Sequence, residues 1–212
     1  MDRLNLQNQR RYAFTAWFYD ILDFPWELQY RKWRPELLRD VRGEVLESGV
    51  GTGRNLKYYP ADVNLTALDL SPAMLKKAAK RCCNAQCRIR LLQDDASCMN
   101  VISSGIYDWL VSFFLCCVLP TELQSQAVSE IARVLKPGGR FRLLEMKHSA
   151  DPRLKRRQDR FAPFVRMVYG AGFDRQTLRH VQDNPLLRVT GTSYLKHDVY
   201  LLIDGVRVNN GL

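Results

Sequence analysis

The 212-residue sequence predicts an α/β fold, a doubly wound and mostly parallel sheet closed by an antiparallel C-terminal edge pair and preceded by a helical segment. Three observations carry this reading. Short apolar runs alternate with amphipathic or capped helical stretches through residues 44–146. Residues 107–114 are apolar on both faces, the texture of a strand inside a parallel sheet. The last two β runs, 187–194 and 198–206, are separated only by a short turn at Lys196-His197. That forces them antiparallel, because a parallel pair needs a crossover of about a dozen residues or more.

The elements follow in order. Residues 4–41 carry many aromatics (Tyr12, Phe14, Trp17, Phe18, Tyr19, Phe24, Trp26, Tyr30, Trp33) among polar and basic residues. They read as two helices broken near Pro25. Residues 1–42 are accordingly set apart as an N-terminal helical lid on a main domain of residues 43–212. Residues 44–47 form a short first strand, followed by a glycine cluster and, at 55–59, the first turns of a helix. Residues 64–70 are the second strand. Ser71 is a good N-cap for a helix over 72–83, with Pro72 at the first helical position, where a missing N–H costs nothing. Strands at 88–92 and 107–114 follow. An amphipathic helix over 122–135 stops at Lys136-Pro137-Gly138-Gly139 before a fifth strand at 140–146. An insertion at 147–169 holds a basic helix (151–169), and a short helix at 175–182 precedes the final β pair.

Composition narrows the partners. The 32 basic and 22 acidic residues leave a net charge of +10, which favours an anionic partner, nucleic acid or lipid surface. The start, MDRLNLQNQRRYAF, has charges where a signal peptide needs an apolar core, and no apolar run reaches a membrane span. A cytoplasmic protein, soluble or peripheral to the inner membrane face, is expected. Six cysteines occur as Cys82-Cys83, Cys116-Cys117, Cys87 and Cys98. None makes a C-x-x-C pair, so reduced thiols and no metal site are expected.

The loop Glu47-Ser48-Gly49-Val50-Gly51-Thr52-Gly53 falls between the first strand and the following helix, at the carboxyl edge where open α/β sheets bind ligands. A dinucleotide fingerprint would place its third small residue at position 54, which is Arg54, and no P-loop Gly-Lys-Ser/Thr follows. Asp69 ends the second strand and Asp94-Asp95-Ala96 follows the third. An ionised carboxylate accepts on two oxygens, so one at the second strand end suits both hydroxyls of a ribose, and one after the third suits an adenine amino group.

The segments VLESGVGTGRN, LDLSPAML, QDDA, YDWLVSFFLCCVLP and RVLKPGGRFRLLEM together resemble the class I S-adenosylmethionine-dependent methyltransferases, in particular the group holding quinone C-, phospholipid N- and thiol methyltransferases. The resemblance implies S-adenosyl-L-methionine as cofactor. Glu47 would then face its methionine end, Gly49, Gly51 and Gly53 would shape its pocket, Asp69 would hold the ribose, and Asp95 with Ala96 would border the adenine. A Rossmann-like sheet with an antiparallel edge pair is the fold it implies.

A sulfonium methyl is already activated, so the chief demand on such an enzyme is an in-line, dry and close nucleophile. Candidate proton acceptors are His148, after the fifth strand, and Tyr19 or Asp20 on the lid. His148 reads equally as an exposed residue opening the basic helix, and Tyr19 as lid packing. Trp17, Phe18, Phe24, Phe113, Phe114 and Leu115 suggest a lipophilic small-molecule or lipid acceptor. Nucleic-acid methylation is the rival reading, but the chain lacks an Asn/Asp-Pro-Pro-aromatic loop, a Pro-Cys loop and a basic appended module. A non-catalytic cofactor-binding protein is the other alternative. Lys147, Arg153, Lys155, Arg156, Arg157, Arg160 and Arg166, interleaved with Leu154, Phe161, Phe164 and Val165, read either as an anionic-membrane contact or as a solvated helix face.

Overall fold

A computed structural model describes Leu22 and residues 24–209. Seven strands, β1 (Gly43–Ser48), β2 (Val63–Asp69), β3 (Arg88–Gln93), β4 (Tyr107–Phe113), β5 (Leu135–Met146), β6 (Leu187–Tyr194) and β7 (Tyr200–Arg207), form one sheet in the order β3-β2-β1-β4-β5-β7-β6. The first five pair in parallel. β7 inserts antiparallel between β5 and β6. The described helices are α1 (Phe24–Leu38), α2 (Pro72–Arg81), α3 (Thr121–Val134), α4 (Pro152–Tyr169) and α5 (Thr177–Asp183). None of them is long and apolar enough to cross a membrane.

Burial follows from strand position. In β1 the four consecutive residues Val45 to Ser48 are all buried, as in a central strand covered on both faces. Alternate side chains feed two cores. Leu46, Leu110 and Leu143 pack with Val128 and Ile131 of α3, and Val45, Leu65 and Val111 pack with Ala78 of α2, with Leu38 at the end of α1 and with Val41 just beyond it.

Four local expectations are corrected. Pro25 does not break a helix within the described residues: α1 runs without interruption from Phe24 to Leu38. The other helix expected there lies outside the described residues. After the glycine loop only a single 3₁₀ turn forms, Leu56–Tyr58. Pro60 forces Tyr59 into an extended conformation (ψ 137°) and stops propagation. α2 ends at Arg81 and tightens into a 3₁₀ turn, Cys82–Asn84. Lys136-Pro137-Gly138-Gly139 ends α3 but lies inside β5: pairing begins at Leu135 opposite Tyr107 and resumes at Arg140 opposite Trp109 after a register shift.

The antiparallel edge is locked by one close approach. Phe141 of β5 lies directly opposite Gly205 of β7, and a Cβ at Gly205 would sit 2.1 Å from Phe141 Cζ and 2.6 Å from the Arg188 carbonyl oxygen. Phe141 is fully buried and has no room to retreat. Gly205→Ala is therefore expected to lower stability by about 1–3 kcal/mol, the usual cost of overpacking, read as an earlier urea unfolding midpoint. An unchanged midpoint would show that the ring can move aside.

Candidate functional site

The site begins where β1 and β2 end together. The Gly49 and Val50 N–H groups both donate to the Leu68 carbonyl at 2.9 Å, carrying the sheet pairing into the glycine loop. Asp69 then fixes both sides of the crevice: Oδ2 accepts from the Gly51 N–H (2.8 Å) and Oδ1 from the Ser71 N–H (2.9 Å). Ser71 caps α2 by accepting from the Met74 N–H. Gly51 has φ +55° with open space where a Cβ would be, so its backbone is bare toward the cavity. Asp94 Oδ1 accepts from the Asp95 N–H (2.8 Å), and Asp95 Oδ1 accepts from the Ser97 N–H (2.9 Å) and hydroxyl (2.6 Å), which sets Asp95 and Ala96 on the wall.

Glu47 is buried and anchors a chain of polar groups. Its Oε1 accepts from Asn55 Nδ2 (2.6 Å), and Asn55 Oδ1 accepts from Arg34 Nε (2.6 Å). Arg34 and Arg54 pair with the two oxygens of Glu27 on α1 (2.6 and 2.7 Å). Among the described residues Glu47 Oε2 has no hydrogen-bond partner. Burial pushes the Glu47 carboxyl up to about 7, against the pull of Asn55, Tyr59 and Arg34. Burial likewise raises Asp69 to about 6, opposed by its two backbone N–H donors.

These groups form one end of a cavity of about 580 Å³. The other end is aromatic. Tyr30, Phe114 and Tyr200 pack on one another (Tyr30 to Phe114 4.8 Å, Tyr30 to Tyr200 5.7 Å between centroids), and the Tyr30 and Tyr200 hydroxyls lie 3.3 Å apart. α4 supplies a wall with Leu154, Arg157, Gln158, Phe161, Phe164 and Val165, a stripe at three- and four-residue spacing. Trp26 of α1 meets Tyr169 of α4 edge to face across 6.2 Å. Beneath, buried Glu145 at the end of β5 accepts from the Cys116 (2.9 Å) and Cys117 (2.8 Å) N–H groups, and burial raises it to about 7.

The structure brings together Glu47, Gly49, Gly51, Asp69, Asp95 and Ala96 on the cavity wall, with Phe113, Phe114 and Leu115. It does not bring Gly53 or His148 there. A Cβ at Gly53 would fall 2.9 Å from Ala78 Cα, so Gly53 serves the close packing of α2 on the loop. That is the packing role for which Arg54 is unsuited, met one place earlier. His148 is turned away from the cavity: its ring packs on Phe173 and its Nδ1 lies 3.8 Å from Asp159 Oδ1, because Gln158 holds the loop by accepting from the Ser149 N–H and donating to the Lys147 carbonyl. Phe24 is exposed at the start of α1 and off the wall. Tyr19, Asp20, Trp17 and Phe18 lie outside the described residues.

Sequence reasoning missed Glu27, Arg34, Asn55, Tyr200, Glu145 and the turn residues Lys196 and His197, which also line the cavity or hold its loops. Arg54 was visible only as a misfit to a glycine pattern. The cavity-facing stripe of the basic helix was visible in the spacing of Leu154, Phe161 and Val165.

Residues 45–139 match the family described as "Methyltransferase domain". The chain is 30% identical over 132 residues to a ubiquinone/menaquinone biosynthesis C-methyltransferase, UbiE, of Syntrophotalea carbinolica, covering 58% of this chain and 54% of that protein. It is 36% identical over 99 residues to a phosphatidylethanolamine N-methyltransferase of Cereibacter sphaeroides, covering 46% of this chain and 47% of that one. The matches thus span about half the length of these relatives. An O-methyltransferase family protein from Burkholderia thailandensis superposes with a TM-score of 0.71 at 17% identity, covering 95% of this chain and 60% of that one.

Raised carboxyls make a stability prediction. Unfolded, Glu47 would lose its proton near 4.5, whereas folded it keeps it to about 7. Over that interval the unfolded state binds fewer protons, so stability falls as pH rises, by at most roughly 1.4 kcal/mol per pH unit per group. Urea titrations of the ligand-free protein are expected to show a decline from pH 5 to 7 that Glu47→Gln makes shallower. An identical slope in the variant would mean that Glu47 is ionised throughout.

Proposed function

We propose that the chain is a class I S-adenosylmethionine-dependent methyltransferase and that it transfers a methyl group from S-adenosylmethionine to a small lipophilic or membrane-lipid acceptor, a phospholipid amine or quinone precursor above all. The observation that carries this is the continuity of one cavity, acid-lined with bare glycine backbone at one end and aromatic at the other.

The residues present fit the cofactor. The unpartnered Oε2 of buried Glu47 suits an ammonium donor. Each Asp69 oxygen takes one backbone N–H and keeps lone-pair capacity for ribose hydroxyls. When bound, the cofactor supplies an activated methyl, and positioning alone can supply roughly 7–11 kcal/mol of the barrier reduction. The chain's part is to orient the acceptor and exclude water, which the Tyr30, Phe114 and Tyr200 cluster does. The Tyr30–Tyr200 hydroxyl pair is the polar group of that cluster and a better-placed proton relay than His148. Residues 1–42 are proposed to cover this end as a lid.

Relatives that methylate a quinone precursor or phosphatidylethanolamine, as their names state, support the acceptor class. So does the rim, where Phe161, Phe164 and Met167 are exposed beside Arg153, Lys155, Arg156 and Arg160 on α4. Cations near an anionic bilayer contribute about 1 kcal/mol each. Peripheral attachment of a cytoplasmic protein to an anionic membrane is the corresponding partner.

Calorimetry is expected to show binding of S-adenosylhomocysteine, weakened by Asp69→Ala by about 1.5–3 kcal/mol, the range for a hydrogen bond to a charged group. Incubation with methyl-labelled S-adenosylmethionine and a lipid extract is expected to move label into the organic phase. Cofactor binding without any transfer would favour the non-catalytic alternative, and no cofactor binding would refute the proposal. In vesicle sedimentation, the wild type is expected to bind anionic vesicles at low salt and to be partly released at 1 M salt, where the Debye length falls to about 3 Å. Arg153→Gln, Lys155→Gln, Arg156→Gln and Arg160→Gln together should abolish the salt-sensitive part. Equal partitioning of variant and wild type would make α4 a solvated face.

A further inference from the structure

We propose that the methyl acceptor is an anionic amphiphile, whose acid group is held at the cavity mouth by Arg157 and Lys196 while its apolar body lies along the aromatic wall. This deepens the reading of the cavity as a transferase site and rests on it.

Charge in the cavity is segregated. Its three carboxylates, Glu47, Asp69 and Asp95, all come from β1, β2 and the turn after β3, the cofactor end. Among the described residues, α4 and the β6–β7 turn contribute no carboxylate to the wall, but they contribute Arg157, Lys196 and His197. The cations of the cofactor end each have a carboxylate partner, since Arg34 and Arg54 share the two oxygens of Glu27. Those at the mouth are not: Arg157 meets no carboxylate among the described residues, and the Lys196 ammonium donates to the neutral amide oxygen of Gln29.

The mouth is also built as one piece. Asp198 in the β6–β7 turn accepts from the Ser149 hydroxyl and the Ala150 N–H, and Gln158 of α4 clasps the same loop through Ser149 and Lys147. Arg157 and Lys196 are therefore carried one and two residues from the two ends of a single hydrogen-bonded frame. Leu154 and Phe161, about one helical turn to either side of Arg157, give the apolar flank. A guanidinium presents paired donors that match a carboxylate or phosphate, and an ammonium adds a point charge, so both acids fit this mouth, the phosphate of a phospholipid amine included, and a purely cationic amphiphile does not.

The test is calorimetric titration of the full chain, saturated with S-adenosylhomocysteine, with dodecyl phosphate, dodecanoate, dodecanol and dodecyltrimethylammonium below their micelle concentrations. The acids are expected to bind at least tenfold more tightly than dodecanol, and the cationic probe most weakly. Arg157→Gln and Lys196→Gln should each reduce the preference for acid over alcohol, and the double variant should erase it, with S-adenosylhomocysteine affinity unchanged as proof of an intact fold. A companion titration with phosphatidylcholine vesicles with and without phosphatidic acid separates the two sources: dependence on Arg157 there too marks a lipid headgroup, whereas dependence only with monomeric probes marks a soluble acid. Equal affinity for dodecanol and dodecyl phosphate, tightest binding of the cationic probe, or no effect of the double variant would overturn the inference while leaving the transferase reading standing. Failure to bind S-adenosylhomocysteine would instead remove the reading on which it rests.

Discussion

A carboxyl group buried in an apolar sheet must either recruit hydrogen-bond donors or keep its proton, and three such groups organise this molecule. Glu47, Asp69 and Glu145 stand at or near the carboxyl ends of β1, β2 and β5, and each is pushed upward by burial. Asp69 draws in the Gly51 and Ser71 N–H groups, and so sets the glycine loop against the start of α2. Glu145 draws in those of Cys116 and Cys117, and so folds the segment after β4 back over β5. In both, each oxygen has a backbone donor. Glu47 differs, with one oxygen on Asn55 and the other orphaned. That asymmetry separates two carboxyls that shape loops from one that faces the cavity.

The Glu47 chain also ties α1 to the sheet. Through Asn55, Arg34 and Glu27 the helix is tied to the acid-lined end of the cavity. At its other end Arg142 of β5 donates to the Leu37 carbonyl and pairs with Asp40 (both 2.7 Å), while its Nε pairs with Asp204 of β7. A cation against the last carbonyls of a helix is favourable, and here one guanidinium joins the helix to two strands. Leu38 and Val41 are fully buried.

The fold was legible in the sequence because its signals are local. Alternating short apolar runs and capped helices give the strands and their parallel direction, and a turn too short for a crossover gives the antiparallel pair. Asp69 and Asp95 were legible for a related reason: position at a strand end is a topological property. The Arg34–Asn55–Glu47 chain was not, since it joins residues from α1, the glycine loop and β1 whose meeting depends on packing. His148 misled because a residue after a strand faces the crevice only if the loop continues the strand's direction, and Gln158 and Asp198 turn this loop aside. The basic helix misled in the opposite way. Its charge is conspicuous, while the Leu154, Phe161 and Val165 stripe that lines the cavity is sparse.

Phe114 shows how backbone strain divides the cavity. Side chains alternate along a strand, so three successive residues cannot face one space unless the chain turns sharply. Phe113, Phe114 and Leu115 all line the cavity, and Phe114 has φ 63°. A left-handed conformation at such a residue costs of order 1–3 kcal/mol. It is held by the Phe114 N–H donating to the Leu144 carbonyl, by the Cys117 thiol on the Phe114 carbonyl, and by Glu145 gripping the two residues beyond Leu115. The turn sends consecutive side chains to opposite ends of the cavity. Leu115 lies where a Cβ on Gly49 would come within 3.2 Å, at the glycine loop. The Phe114 ring joins Tyr30 and Tyr200 at the aromatic end. The strain thus falls at the boundary between the two halves of the cavity, and the buried Glu145 keeps that boundary from relaxing.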